Sequence, residues 1–266
     1  NSCFDADLLC DRTVFHTAAE FQKIHVKGTA SFYIEELHSS TNFSESTFDN
    51  ELIFENVDFA HEANFKNLKI KGQADFSNGS FQGNVDFSGC NFESDIVFSQ
   101  QRFSRDVDFS SIRVKGTADF DTGVFDTNVE FSNSMFKNDL IFKKVRVDGE
   151  LDFKKCNFKS QADFSNVVLR GSSDFSDSNF HDDAIFIESE LNGDVKFNNI
   201  TVKKNACFNT INVSGNIEPQ LLEKESEKLI DEMESKFMQN GWRDHKDKSD
   251  RVAEIRKRLT EIYNNV

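Results

Sequence analysis

Five carboxylates recur at a fixed interval: Asp86, Asp108, Glu130, Asp152 and Asp174 occupy every twenty-second position. Short acids along one line can collect cations, or can imitate a phosphate backbone for a protein that handles nucleic acid. They also have a local occupation, because an Asp carboxylate readily accepts hydrogen bonds from nearby backbone N–H groups. A second recurrence is aliphatic. Leu9, Ile53, Val97, Ile141 and Ile185 follow at twice that interval, with Ser31, Asp75, Asp119 and Asp163 halfway between them. An aliphatic line where polar residues are the rule suits the docking of a protein partner.

Catalytic chemistry finds no such footing. His16, His25, His38, His61, His181 and His245 read as sharing no register. There is no HExxH, P-loop, GxGxxG or nucleophile-elbow pattern. The Asp-rich stretches lack the ligand spacing of an EF-hand loop. Asp182 and Asp183 are adjacent and point apart, a poor arrangement for paired-carboxylate hydrolysis. Cys3, Cys10, Cys90, Cys156 and Cys207 form no CxxC and no Cys/His cluster, so neither zinc nor redox chemistry is indicated. The expectation is a protein that is not an enzyme, with no metal site and no cofactor.

Charge narrows the partner. Acids outnumber bases 46 to 31, for a net −15, which argues against direct contact with nucleic acid or anionic lipid. Residues 1–215 carry −13 of this and residues 216–266 carry −2. No apolar run approaches the ~18 residues of a transmembrane helix. The sequence starts at Asn1 with no visible leader, and its compartment stays open between cytoplasm and export.

The elements that must position these rows are set by phenylalanine. Most of the 30 Phe fall into a first series that takes every eleventh position from Phe21 to Phe208 without a break. A second series lies five residues after each, from Phe4 to Val213, and every member is large and apolar. Only Phe237 lies outside both. Two residues before each large residue sits a smaller one, such as Ala74, Val85, Ile96 or Cys90. Inward at i−2 and i with a polar residue between is the period of a strand. A helix would put those two on opposite faces.

The steps alternate five and six, so strands of about three residues must turn at once. The extra residue of the six-step falls on Gly28, Gly72, Gly83, Gly116, Gly149, Gly171 and Gly193, where a corner with positive φ is expected. The consistent fold is an all-β solenoid: a right-handed, four-sided parallel β-helix. Two five-steps and two six-steps close one coil, nine to ten coils span the repeat, and both apolar series lie inside. Its rod is roughly 45 Å long. Cys90 and Cys156 read as small core residues.

The segments Ala74-Asp75-Phe76-Ser77-Asn78, Ala118-Asp119-Phe120-Asp121-Thr122 and Ala162-Asp163-Phe164-Ser165-Asn166 resemble the pentapeptide repeat. The unit of that family is a small residue, Asp or Asn, Leu or Phe, then two polar residues. The resemblance covers residues 4–215, here with a period of eleven rather than ten. Some members of the family bind DNA gyrase.

Beyond residue 215 the rhythm stops. Pro219 suits a first helical turn, followed by Leu222, Leu229, Met233 and Phe237 at helical spacing. After Asn240-Gly241, Val252, Ile255, Leu259 and Ile262 form a second seam. Residues 216–266 are therefore expected to form a C-terminal α-helical hairpin. It would cap the last coil or join two copies as a homodimer. The segment loosely resembles the helical piece that follows Phe-rich pentapeptide repeats in some bacterial membrane-associated proteins.

Two functions fit. The first is a rigid, non-catalytic scaffold presenting Ile53, Val97, Ile141 and Ile185 to a protein partner. The alternative is an acidic DNA mimic that binds a DNA-handling enzyme such as a topoisomerase through Asp86, Asp108, Glu130, Asp152 and Asp174.

Overall fold

The computed structural model describes residues 2–208, 210–215 and 217–218. Every strand pairing within them is parallel and joins one coil to the next: Ile96 pairs with Ala118 and Val97 with Asp119, and Val107 with Val129 and Asp108 with Glu130. This advance is the coil length expected from the two apolar series. Strands at equivalent places stack into three sheets of ten strands and one of eight, a β-solenoid of about ten turns.

Each coil crosses four faces in order. In one central coil these are Asn91–Phe92 on face I, Ile96–Val97 on face II, Arg102–Phe103 on face III and Val107–Asp108 on face IV. Most strands span two residues rather than three, because the neighbouring residue has already entered the turn. The first two coils differ. Their strands β1 (Ser2–Phe4), β2 (Leu8–Phe15), β3 (Ala19–Glu20), β4 (Ile24–Val26) and β5 (Ala30–Leu37) include two long ones. β2 and β5 run through faces II and III without a corner and pair with a register shift near Thr13. At the far end Ile217–Glu218 still pairs with Val195–Lys196, so the ladder continues past residue 215. The expected helical hairpin lies outside the described residues. Among the described residues no helix is long and apolar enough to cross a membrane.

The two apolar series fill the interior. Phe87 and Phe92 are fully buried, as are Phe98, Phe109 and Phe120. First-series rings form two columns. Rings one coil apart stack, as Phe87 on Phe109 at 5.1 Å and 9°. Rings half a coil apart meet edge to face, as Phe87 with Phe98 at 80°. Both geometries suit the ring quadrupole and add ~0.5–1.5 kcal/mol per pair beyond burial. Only the outer coils leave core residues partly open, among them Phe4, Phe15, Phe21 and Phe208.

The corners differ from the expectation. Positive φ falls two residues after every first-series position except Phe32, whose counterpart Ile34 lies inside the long strand β5. It occurs at Asn56, Asn67, Asn78, Asn133, Asn166 and Asn199, and even at Lys144, Lys155 and Glu188. Gly89 is the one glycine there. Gly28, Gly72, Gly83, Gly116, Gly149, Gly171 and Gly193 do not have positive φ. Their reason is proximity: a Cβ on Gly171 would drive into the carbonyl of Gly149 one coil earlier, and one on Gly193 into that of Gly171. The chain keeps glycine there so that corners can stack.

The left-handed turn leaves a buried N–H near the axis, and small inward side chains repair it. Ser134 Oγ accepts from the Ile112 N–H at 3.1 Å and donates to the Phe109 carbonyl at 3.0 Å. Ser178 does the same for Cys156 and Phe153. Gln101 is the largest buried polar side chain among the described residues and is 2% exposed. Its Oε1 accepts from Gly79 N–H at 2.6 Å, and Gly79 and Gly123 are its neighbours above and below, where missing side chains leave it room.

Candidate functional site

With the core closed, the chemistry is on the outer rows. Face IV carries the acidic ladder. Asp86, Asp108, Glu130, Asp152 and Asp174 are consecutive partners in one parallel sheet, about 4.8 Å apart along the axis. Each also serves its own turn. Asp86 Oδ1 accepts from the Ser88 N–H at 2.8 Å, Asp108 from Ser110 at 2.7 Å, Asp152 from Lys154 at 2.7 Å and Asp174 from Ser176 at 2.8 Å. Glu130 instead accepts from the Ser132 hydroxyl at 2.7 Å. One oxygen of each is thus committed to the fold. Burial pushes the Asp152 carboxyl above its ordinary value, and the charges of Asp174 and Glu130 push it further.

Asp86, Asp108, Glu130 and Asp152 line one wall of a shallow groove. A second row, Glu62, Asn84, Asp106, Asn128 and Glu150, lines the other, with small apolar residues such as Val107 as its floor. Seven carboxylates and three amides line this groove, and Lys66 reaches its edge, 3.7 Å from Asp86. Among the described residues no group of three His, Cys, Asp or Glu is arranged to hold a metal ion.

Face II carries the aliphatic row. Ile53, Val97, Ile141 and Ile185 alternate with Asp75, Asp119 and Asp163 in consecutive pairings. All four aliphatics are half-buried, while Leu9 at the rod's end is 67% exposed. The alternation has a partner two residues upstream, where Glu51, Asp95, Asp139 and Asp183 stand on the aliphatic coils and Gln73, Thr117 and Gln161 on the others. Each coil from Glu51 to Asp183 therefore places one acid on this face, at alternating positions. The two positions do different work. Asp75 and Asp163 cap their own turns through the Ser77 and Ser165 N–H, both at 2.9 Å. Asp95 and Asp183 reach up to the next coil, to the N–H of Thr117 at 2.7 Å and of Asn205 at 3.1 Å. The aliphatic residue stands where the turn-capping acid has moved away.

The corner after face I holds a row not anticipated from the sequence. It begins as alternating charge: Asp5 pairs with Lys27 at 2.6 Å, Asp49 with Lys71 at 2.9 Å and Glu93 with Lys115 at 3.0 Å. The alternation then ends, and Lys137, Lys159, His181 and Lys203 follow on consecutive coils. Lys159 Nζ lies 2.9 Å from His181 Nε2. Partial burial, then Lys159 and Lys203, hold the His181 ring below its ordinary value. Writing this row out coil by coil would have exposed it, as it exposed the acids. The same step relates His16 and His38, whose rings stack at 5.3 Å and 8°, so the histidines do share a register at one point.

Face III is charge-paired, with Arg102 on Asp126 at 2.7 Å, Arg146 on Asp126 at 3.2 Å and Arg170 on Asp148 at 3.1 Å. Cys90 and Cys156 are buried, each with its sulfur against a carbonyl at 3.0 Å. Burial pushes the Cys156 thiol up to about 12 and the Cys90 thiol in the same direction. Neither is a nucleophile at neutral pH.

A family model described as pentapeptide repeats in nine copies matches residues 142–190 and, overlapping them, 153–201. No curated protein and no solved structure matches the chain.

Proposed function

We propose that this chain, which belongs to the pentapeptide-repeat family, is a non-catalytic structural scaffold whose solenoid presents face II to a protein partner. The observation that carries this reading is the alternation of Ile53, Val97, Ile141 and Ile185 with Asp75, Asp119 and Asp163 in one ten-stranded sheet. Isolated exposed aliphatics need no explanation, but a colinear set about 9.6 Å apart offers a regular track of apolar contacts with acids between them. The rigid core adds to this, since a preformed surface loses little entropy on binding.

The test is the double variant Val97→Asp/Ile141→Asp. It copies the residue already present on the intervening coils, so the melting temperature should stay within a few degrees of the parent's. Proteins retained by the immobilised parent and lost by the variant would identify the partner of this face. If the folded variant retains every protein the parent does, face II is not the docking surface.

A second reading draws on the acid-rich groove of face IV. Seven carboxylates across five coils amount to roughly one charge per 3.4 Å of rod, about half the line density of duplex DNA. A topoisomerase or similar enzyme would be the partner, and its inhibition should fail when Asp108, Glu130 and Asp152 are made amides. The lower density, and the oxygen each ladder acid spends on its own turn, place this reading second.

A further inference from the structure

The cationic row on the corner after face I and the acidic ladder of face IV are complementary in charge, in shape and in pitch. Lys137, Lys159, His181 and Lys203 lie on consecutive coils along a convex corner. Among the described residues no carboxylate forms an ion pair with Lys137, Lys159 or Lys203, whereas Lys27, Lys71 and Lys115 earlier in the same row all have one. Asp86 to Asp174 lie on consecutive coils, and Asp86, Asp108, Glu130 and Asp152 form the wall of a groove. Among the described residues Asp86 alone of the five has an ion-pair partner, Lys66 at 3.7 Å. Both rows repeat once per coil, about 4.8 Å, because the same backbone register sets them. The corner and face IV are separated around the coil by faces II and III on one side and by face I on the other. Within one rod the two rows therefore cannot pair with each other.

We infer that a second copy of this chain is the occupant of both surfaces, with the cationic corner of one rod seated in the acidic groove of the next. A contact between two different surfaces of identical molecules is heterologous, and without closure it adds rods side by side. The matched pitch favours this occupant over a flexible polyanion, because every rung stays in phase along the contact without ordering a loose chain. One member of each row feels its neighbours: burial first, then Asp174 and Glu130, hold Asp152 above its ordinary value, and burial first, then Lys159 and Lys203, hold His181 below its own. The net charge of −15 opposes approach at long range, but beyond ~10 Å it is screened at about 0.1 M salt. Exposed ion pairs are individually weak, so the association is a concentrated-solution property that depends on several rungs acting together.

The experiment is sedimentation of the full chain over a concentration series at about 0.1 M and 1 M salt. The parent is compared with K137E/K159E/K203E and with E130K/D152K. The native Lys196 occupies the same row as Glu130 and Asp152, so lysine is compatible with that position, and circular dichroism melts check that both variants fold. The parent should gain mass with concentration at the lower salt and lose the gain at the higher. Each variant alone should associate at least ~tenfold more weakly, since like charges then face each other. An equimolar mixture of the two should regain association. A parent that stays monomeric throughout overturns the inference, as does association that both variants keep, which would place the contact elsewhere. Binding of poly-glutamate by a monomeric parent, lost in K137E/K159E/K203E, also overturns it and assigns the corner to an acidic polymer.

Discussion

The ring of Phe142 lies 6.0 Å from that of Phe125 and within 16° of parallel, although the two belong to different columns. In its own column Phe142 is turned by 53° from Phe120 and by 55° from Phe164, where other members stack within 6° to 14°. The cause is one coil above Phe125. Phe59, Phe81, Phe103 and Phe125 stack continuously, and the next place holds Val147. The smaller side chain leaves space over Phe125, and Phe142 rotates to fill it, as close packing demands.

Val147→Phe should therefore destabilise the rod despite restoring the majority residue. Its ring would compete with that of Phe142, and overpacking of this kind costs ~1–3 kcal/mol. Denaturant melts measure the loss. Adding Phe142→Leu should recover part of it, with a coupling of at least ~0.5 kcal/mol. A neutral Val147→Phe would mean that the turned ring has another cause.

The two classes of glycine predict opposite outcomes. Gly171→Ala drives a methyl into the Gly149 carbonyl, and with backbone on the other side the coils must separate. The expected cost is above ~2 kcal/mol in urea melts. Gly89, at φ +70°, occupies the place that asparagine fills at Asn67, Asn78 and Asn133. Gly89→Asn should change stability by less than ~1 kcal/mol, because asparagine tolerates the left-handed region and restricts the unfolded chain.

Ser134 tests the repair of the buried turn. Ser134→Ala removes both the acceptor for the Ile112 N–H and the donor to the Phe109 carbonyl. Leaving buried partners unmatched costs ~1–3 kcal/mol. The Ile112 amide should also exchange with solvent faster, which hydrogen-exchange measurements resolve residue by residue. Ser80, whose hydroxyl bonds Asp58 at an exposed site, is the control: Ser80→Ala should stay within ~0.5 kcal/mol.

How much of this was legible in the sequence follows from what repeats. The coil length and the inward rings could be read because Phe76, Phe87 and Phe98 each restate the same constraint: a large apolar group must face the axis at every corner step. The acid and aliphatic rows followed from the same coil arithmetic. What escaped was set by a neighbouring coil rather than by the residue itself. Asn78 and Lys155 both adopt positive φ, though only one of them favours it. Gly171 looks like a turn residue in the sequence and is a contact residue in the rod. The rotation of Phe142 depends on a valine five positions on and a ring one coil back. The cationic corner was missed because its early members are paired with acids, which hides the run from Lys137 to Lys203.

The acidic ladder makes a prediction about pH whose sign is fixed by Asp152. Burial first, then Asp174 and Glu130, raise its carboxyl above the ordinary 3.8, against the opposing hydrogen bond and charge of Lys154. A raised value in the folded chain means that folding favours the protonated form. This group's contribution is fully present below 3.8 and is lost as pH rises through the folded value. At neutral pH the charged Asp152 therefore costs stability, by the ~0.2–1 kcal/mol typical of like charges on adjacent strands. Asp152→Asn removes the charge and keeps an oxygen to accept from the Lys154 N–H. Its melting temperature should exceed the parent's at pH 7, and the difference should vanish near pH 3, where both side chains are neutral. Asp49 supplies the opposite case: hydrogen bonds from Lys71 and then His25 hold it below 3.8. Its contribution is present above that value and lost as pH falls through the lower folded one. Asp49→Asn should accordingly melt below the parent at pH 7. If Asp152→Asn also melts lower there, the ladder carboxylates stabilise the fold as turn caps more than they strain it as neighbours.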